Sequence, residues 1–320
     1  MGDAVVGALS ELVPGGVARG GLRPGDGDRM VRWVEAGSGN PTVILAAGRN
    51  DTAISWAPIL AALAGKTHVV AYDRAGLGAS DPDPGPEPPT VDRQVADLAA
   101  VIGQTAGGPC VLVGHSWGGL LAELLARRHP DLVCGLVLVD PAHEDMTATL
   151  PGPVRRLNWS VSEHLPSLLL ALGLLGPVVR WRSGRTAERF TDDPRIRSMV
   201  VDAYAAHGRR QQVRASRDEL RGIAASTPLI RQAHAASSLP DVPVVVLSAT
   251  RGFPPRFREG WTALQAGTTA ATRGRHIVVA DAGHVIHHDW PELVAEAVLE
   301  VVEEARREEG PHQAISDGGG

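Results

Sequence analysis

Five continuous apolar runs constrain the fold of this chain more than any other feature of its sequence. They show almost no alternation of polar and apolar residues, which is typical of strands buried on both faces of a parallel sheet. Segments with helical periodicity occur at 90–105, 120–128 and 292–307. This alternation predicts an α/β fold with a mostly parallel central sheet flanked by helices. The five apolar runs are residues 68–73, 110–114, 135–140, 242–249 and 276–281.

The rest of the chain is divided around this predicted sheet. Two β-rich runs within residues 30–47 flank a Gly-Ser-Gly-Asn turn, which predicts a β-hairpin. The alternation stops after residue 140 and resumes near residue 241, so we expect a helical insertion at the C-terminal ends of the strands. The final residues are polar and rich in glycine, which is typical of disorder. The predicted divisions are an N-terminal extension over 1–27, a core over 28–140 and 241–309, a helical cap over 141–240 and a disordered tail over 310–320.

Composition and charge exclude several classes of function. The formal net charge is -5, and a protein that binds nucleic acid would normally show a basic excess. The longest apolar stretch, residues 165–179, is too short for a membrane span, and the N-terminus lacks the basic region of a signal peptide. The two cysteines match neither a disulfide framework nor a zinc-binding spacing. We therefore expect a cytoplasmic protein without metal or cofactor, and its oligomeric state stays open.

Residues 114–118, with the sequence GHSWG, match the G-x-S-x-G pattern of a serine nucleophile. An apolar run precedes them and a helix-forming run follows, which is the strand–turn–helix context that a nucleophile elbow requires. The serine of an elbow lies on a sharp turn with strained dihedral angles, so side chains at 114 or 118 would collide with neighbouring backbone. The pattern in this setting predicts Ser116 as a nucleophile.

Together with three further motifs, this elbow resembles that of the α/β-hydrolase family, and the resemblance covers about residues 28–308. Residues 47–50 (AGRN) stand where the family has its oxyanion loop, and residues 72–80 (YDRAGLGAS) look like its D-R-x-G-x-G-x-S turn. Residues 282–284 (AGH) follow the last predicted strand, as the family's histidine does. The resemblance implies the α/β-hydrolase fold and a serine hydrolase that needs no cofactor.

The proposed nucleophile needs a base and an oxyanion site. A serine hydroxyl is protonated at neutral pH, so an imidazole within hydrogen-bond reach must accept its proton. Of the twelve histidines, His284 is the strongest candidate because it follows the last predicted strand in a glycine-containing loop. The resemblance implies that the backbone N–H groups of Trp117 and Arg49 bind the oxyanion.

The acid of the triad is less obvious from the sequence. Many members of the family carry an aspartate after the strand that corresponds to 242–249, but no carboxylate follows this run before Glu259. A subset of the family places the acid one strand earlier, where Asp140 ends the run 135–140. This choice keeps the family's chain order of nucleophile, acid and base. Asp140 is therefore the predicted acid, with Glu144 and Asp145 as alternatives.

The predicted cap carries the only clues to the substrate. Residues 151–240 contain fourteen arginines but seven acidic residues. This excess is either a solvated face or an attraction for substrates that bear a carboxylate. The leucine-rich run 168–175 either lines a pocket for an apolar part of the substrate or packs the cap onto the core.

The resulting hypothesis is hydrolysis of carboxylic esters through an acyl-enzyme, with a small-molecule substrate that has an apolar portion. Serine at the elbow excludes the mechanisms of the family's epoxide hydrolases and dehalogenases, which use a carboxylate nucleophile. The elbow also resembles that of prolyl aminopeptidases, but their caps bind an amine with carboxylates and this region is poor in acids. Cleavage of amides, lactones, thioesters or carbon–carbon bonds stays open. A ligand-binding receptor or an inactive relative is the alternative from another class.

Overall fold

A computed structural model describes residues 2–25, 28–84, 87–148, 150–270 and 272–316. Within these residues, eight strands form one sheet in the order β1-β2-β4-β3-β5-β6-β7-β8. The strands are β1 (Ala18–Leu22), β2 (Val31–Ala36), β3 (Val43–Ala46), β4 (Val69–Asp73), β5 (Cys110–His115), β6 (Val133–Val139), β7 (Val244–Ala249) and β8 (Arg275–Val279). The helices are α1 (Gly2–Leu12), α2 (Ala57–Leu63), α3 (Val91–Thr105), α4 (Trp117–Arg128), α5 (Gly152–Ala171), α6 (Leu175–Phe190), α7 (Pro194–Tyr204), α8 (Arg210–Ala236), α9 (Pro255–Ala270), α10 (Ile286–Asp289) and α11 (Pro291–Ser316).

The five apolar runs form β4 to β8, as predicted. Every contact between neighbouring strands from β4 through β3 to β8 is parallel, whereas β1, β2 and β4 pair antiparallel. All residues of β4, β5 and β7 are buried, because helices cover both faces of the sheet. The strand β8 is partly exposed, since it lies at the sheet edge. The predicted α/β fold with a mostly parallel sheet is confirmed.

The hairpin predicted within residues 30–47 is wrong. The strands β2 and β3 exist, but β4 lies between them and pairs with both, antiparallel to β2 and parallel to β3. The connection between them, residues 37–42, is longer than the loops of two to five residues that close most hairpins. It has the length to carry the chain past the position of β4. The fully buried strand β3 gains a neighbour on each side by this arrangement.

The N-terminal residues are part of the fold and not an appended extension. The helix α1 packs against α2 and α7, and its side chains Val5, Ala8 and Leu9 belong to the main core. The strand β1 pairs with β2 along its whole length. The apolar residues at 5, 9 and 13 recur every four positions, a helical periodicity that the sequence interpretation of residues 1–27 did not use.

Four helices, α5 to α8, separate β6 from β7, and we call them the insert helices. Among the described residues, no single helix has the length and apolar content of a membrane span; α5 and α6 meet that test only together, across a bend of 111°. At the other end of the chain, α11 continues through residue 316, which differs from the disorder expected from residue 310. Extending an existing helix costs far less than nucleating one, so the preceding turns support this continuation. Residues 317–320 of the expected tail lie outside the described residues.

The packing of α1 is testable with one substitution. We expect Leu9→Ala to lower the free energy of unfolding by about 2–5 kcal/mol, because it empties a fully buried site. Urea denaturation followed by circular dichroism measures this change. The matched control is Leu229→Ala on α8, where the leucine is exposed and the expected change is within about 0.5 kcal/mol. Equal stability of the two variants would show that α1 does not contribute to the core.

Candidate active site

The turn between β5 and α4 has the geometry that the GHSWG motif predicts. Ser116 adopts φ 51° and ψ -117°, a conformation that non-glycine residues rarely occupy. A Cβ atom at position 114 would lie 2.5 Å from the carbonyl oxygen of Gly118, and one at position 118 would lie 2.2 Å from that of Ala46. The predicted collisions are therefore confirmed. The close approach at position 118 also brings the end of β3 directly against the elbow.

The structure brings the three predicted triad residues together. Ser116 follows β5, Asp140 follows β6 and His284 lies after β8, so all three come from the C-terminal edge of the parallel strands. The Oγ atom of Ser116 lies 3.1 Å from Nε2 of His284, and Nδ1 of that ring lies 2.7 Å from Oδ2 of Asp140. An ionised carboxylate only accepts hydrogen bonds, so Nδ1 carries the proton and Nε2 is left to accept one from the serine hydroxyl.

Asp140 is fully buried and is held by more than the histidine. Arg258 on α9 donates from Nη1 to Oδ2 at 2.9 Å and from Nη2 to Oδ1 at 2.6 Å. Gln265, two turns further along α9, donates to Oδ1 at 3.0 Å, and the backbone N–H of Ala249 donates at 3.2 Å. Burial raises the pKa of Asp140, but the hydrogen bonds from His284 and Arg258 outweigh it and lower the pKa to about 2. The carboxylate therefore stays ionised at neutral pH.

Sequence reasoning missed Arg258 and Gln265. The positions are seven residues apart, so they share one helix face, and both are buried among apolar neighbours. A buried arginine is rare unless it is paired with an acid. The available signal was therefore a polar pair at helical spacing in the segment after β7, where a carboxylate was expected and is absent.

The alternative acids do not contact His284. Glu144 accepts a hydrogen bond from His234 at 2.8 Å, and Asp145 pairs with Arg231 at 2.5 Å. One possible metal-ligand atom from each of His143, Glu144 and His234 lies within 4.8 Å of the other two, a grouping compatible with a metal ion. The partners of both acids thus direct them away from the imidazole, whereas Asp140 contacts it.

The neighbouring histidine of the elbow supports the loop that carries His284. His115 is buried, and its Nε2 donates to the backbone carbonyl oxygen of His284 at 2.9 Å. Burial, with the nearby His284 ring adding to it, lowers the pKa of His115 well below its usual value, so the ring is neutral at physiological pH. Its side chain therefore positions the loop and does not face the nucleophile's hydroxyl.

The two residues predicted to supply oxyanion donors, Trp117 and Arg49, line the same cavity as Ser116. Trp117 begins α4, where the first backbone N–H groups have no acceptor within the helix. The loop that carries Arg49 is held by Arg74, whose guanidinium donates to the carbonyl oxygens of Ala47 and Gly48 at 2.5 and 2.7 Å. Arg74 is itself fixed by a buried ion pair with Glu219 of α8 at 2.7 Å. The position of the loop is therefore tied to an insert helix.

A cavity of about 690 Å³ opens beside Ser116, between the core and the insert helices α5 and α8. The part of its wall that α5 supplies includes Asn158, Trp159 and Ser162. The leucine-rich run 168–175 does not line this cavity, and several of its leucines are exposed, so the run as a whole neither lines a pocket nor packs against the core. Arg49 also reaches the cavity, and burial lowers the pKa of its guanidinium. The apolar lining is supplied by Trp117, Leu120, Ala142, Met146, Ala148, Trp159, Leu220, Ile223, Ala224 and Ile230.

The chain is similar to known proteins in sequence and in fold. The sequence model of the group described as "Alpha/beta hydrolase family" matches residues 43–297. Mouse Epoxide hydrolase 4 is 31% identical over 123 residues, which cover 38% of this chain and 34% of that protein. Lipase LipV of Mycobacterium tuberculosis is 46% identical over 74 residues, covering 23% of this chain and 27% of the lipase.

The chain matches these curated relatives over about a third of their length. Among solved structures, wild-type Cfl2 from Burkholderia cenocepacia is similar over most of the chain. It has 24% sequence identity and a TM-score of 0.71, with 89% of this chain and 95% of that chain covered. At this identity the likeness shows the fold.

The buried pair of Asp140 and Arg258 generates a prediction about stability. We expect Arg258→Met to lower the free energy of unfolding by about 3–5 kcal/mol, because it leaves a buried carboxylate without its cation. Adding Asp140→Asn to that variant should recover part of the lost stability, since neither of these two buried charges then remains. Chemical denaturation of the single and double variants measures both effects.

The control is Arg231→Met, which breaks the exposed pair with Asp145 and should change stability little. A loss in the control as large as in Arg258→Met would show that burial of the charge is not the cause.

Proposed function

Because the chain belongs to the alpha/beta hydrolase family, we propose that it hydrolyses carboxylic esters through an acyl-enzyme, with Ser116 as the nucleophile. In this proposal His284 is the general base and Asp140 is the acid that orients it. The observation that carries the proposal is the pair of contacts at 3.1 and 2.7 Å that join serine, imidazole and buried carboxylate. Their order along the chain agrees with the family's.

The proposal assigns a group to each step of the reaction. The Oγ atom of Ser116 attacks the ester carbonyl carbon as its proton passes to Nε2 of His284. The oxyanion accepts hydrogen bonds from the backbone N–H groups of Trp117 and Arg49, and Asp140 stabilises the imidazolium. His284 then returns the proton to the leaving alcohol. A water molecule, deprotonated by His284, then attacks the acyl carbon. The bond between that carbon and Oγ of Ser116 breaks, Oγ takes the proton back from His284, and the acid is released. These steps need no metal or cofactor.

The insert helices act as the cap in this proposal, and their cavity supports a substrate with an apolar portion. Leu120, Leu220 and Ile223 offer an apolar surface near Ser116, while Arg155 and Arg156 add positive charge to the same cavity. A small ester with an apolar acyl or ring group fits such a lining. The cytoplasmic location inferred from the sequence stays a prediction.

Epoxide hydrolysis, suggested by the names of several relatives, fits this site less well. The family resemblance implies a carboxylate nucleophile for that reaction, and this chain has a serine at the elbow. A prolyl aminopeptidase is disfavoured because cap carboxylates that would bind a free amine are scarce. A receptor or inactive relative often lacks part of the triad, whereas here every position is filled. Amides, lactones, thioesters and carbon–carbon bonds remain alternatives on the same triad.

The nucleophile is tested by covalent labelling. We expect a fluorophosphonate probe to label the wild-type protein and to leave Ser116→Ala unlabelled, because the probe reacts with an activated serine hydroxyl. Fluorescence after denaturing electrophoresis measures the labelling. The matched control is Ser162→Ala, which removes another hydroxyl of the same cavity and should label normally. Equal labelling of wild type and Ser116→Ala would refute the proposed nucleophile.

The acid is tested with p-nitrophenyl esters of graded chain length. We expect Asp140→Asn to lower kcat by about 10⁴, because the amide favours the wrong tautomer of the imidazole. Glu144→Gln should retain activity, since Glu144 contacts His234 instead of His284. Circular dichroism confirms that both variants are folded. The assignment would be wrong if the loss of activity occurred in Glu144→Gln and not in Asp140→Asn.

A further inference from the structure

The helix α5 has an apolar stripe that faces solvent. Its large apolar side chains recur every three or four residues, which places them on one face of the helix. Their exposed fractions range from 43% to 66%, and no residue of α5 is buried. This is the reverse of a surface helix in a globular protein, whose apolar face turns towards the core. On α5 and directly after it, these side chains are Val154, Leu157, Val161, Leu165, Leu168 and Leu172.

The stripe continues past the bend onto α6, where Leu174, Val178 and Trp181 are also exposed. We call the nine side chains from Val154 to Trp181 the apolar stripe. They account for nine of the thirteen large apolar side chains exposed in the described part of the chain. Single exposed apolar residues are normal, but a contiguous group of this size marks an interaction surface.

The same two helices are strongly basic. They contain six arginines and two glutamates, and one of those acids, Glu163, is paired with Arg221 of α8. Arg155 and Arg156 line the cavity, and Arg180 and Arg189 pair with Asp202 and Asp289. Among the described residues, Arg182 and Arg185 of α6 form no ion pair. Arg185 lies over the ring of Trp181, with its guanidinium carbon 5.5 Å from the ring centroid. Leucine and tryptophan on one face with arginine around them is the composition of helices that lie in the interface of an anionic membrane.

The charge argues against a second copy of the chain as the occupant. A symmetric dimer places the same patch of both copies face to face. Burying this stripe in such a dimer would bring the Arg182 and Arg185 guanidinium groups of both copies together, and Glu163, one of the two acids on these helices, is already paired. An anionic surface accepts both the leucines and the arginines.

The position of the stripe relates it to the cavity. Asn158, Trp159 and Ser162 on another face of α5 line the cavity that holds Ser116. The helix therefore separates the cavity from the exposed stripe. A surface bound to the stripe would lie one helix diameter, about 10 Å, from the cavity wall.

We propose that the apolar stripe and its arginines bind the surface of a lipid bilayer with anionic headgroups. The helices lie along the surface in this arrangement, with the apolar side chains inserted and the guanidinium groups at the headgroups. This binding does not depend on the chemistry assigned to Ser116.

Vesicle sedimentation tests the proposal with the full chain. We expect the protein to sediment with vesicles of phosphatidylcholine mixed with phosphatidylglycerol, and to bind pure phosphatidylcholine vesicles more weakly. Added salt should weaken binding to the vesicles that contain phosphatidylglycerol, because it screens the charge of the arginines. The combined variant Leu157→Gln, Leu165→Gln and Leu172→Gln should bind the mixed vesicles at least about tenfold more weakly, since it removes inserted apolar surface.

The matched control replaces exposed apolar residues outside the stripe, in the combined variant Leu229→Gln and Val278→Gln, and should bind as the wild type. Ser116→Ala should also bind normally, so a failure of the proposed catalysis is distinguishable from a failure of docking. Fluorophosphonate labelling and circular dichroism show whether the stripe variant keeps its fold.

Two results would overturn the proposal. One is equal vesicle binding, or none, for wild type and the stripe variant. The other is a dimer, measured by light scattering, that the stripe substitutions convert to a monomer while vesicles bind neither form; the stripe would then be an interface between copies.

Discussion

The carboxylate of Asp140 is a fully buried charge, and the surrounding structure is arranged to stabilise it. Such a charge is tolerated only when its oxygens are paired and hydrogen-bonded. Here Arg258 contacts both oxygens, Gln265 and a backbone N–H of the β7 end contact one, and His284 contacts the other. The end of β6, the end of β7, α9 and the loop after β8 are thereby fixed to a single group. The position of the imidazole relative to Ser116 follows from this arrangement.

A second buried ion pair fixes the opposite side of the site. Arg74 and Glu219 join the turn after β4 to α8, and Arg74 also donates to the carbonyl oxygens of the loop before Arg49. Glu219 accepts the backbone N–H of Asn50 at 2.9 Å. The loop that offers an oxyanion donor and the helix that lines the cavity are therefore held by the same charges. A change in one would move the other, because a buried pair tolerates little separation.

The sequence predicted those features that depend on neighbours along the chain. The strands β4 to β8 follow from short apolar runs, and the elbow follows from Gly114 and Gly118, whose lack of side chains the turn requires. The prediction of Asp140 depends on the resemblance to the family, and that of His284 on its place in a glycine-containing loop after the last predicted strand. Contacts between residues that are distant in sequence could not be predicted from such local patterns. The strand β4 separates β2 from β3, and Arg258 reaches an acid 118 residues away.

The apolar stripe also shows a limit of prediction from sequence, since a helical apolar period is the same whether that face of the helix is buried or exposed. The sequence left the leucines of 168–175 with two roles, in a pocket or against the core. Leu175 is buried, but Leu168, Leu172 and Leu174 are exposed and have neither role. Only the packing of α5 and α6 reveals this.

Several departures from ordinary protein architecture occur around one cavity. The four non-glycine residues with positive φ in the described part of the chain are Asn50, Ser116, Asp140 and Asp281, and each belongs to or adjoins a loop of the candidate site. Positive φ at such residues costs free energy, as do buried ion pairs and exposed leucines. A fold retains such costs where function requires them. The strained elbow and the buried Asp140 lie beside this cavity and serve the proposed chemistry, whereas the apolar stripe on another face of α5 has no part in it. A surface outside the molecule is therefore the physical explanation for the stripe.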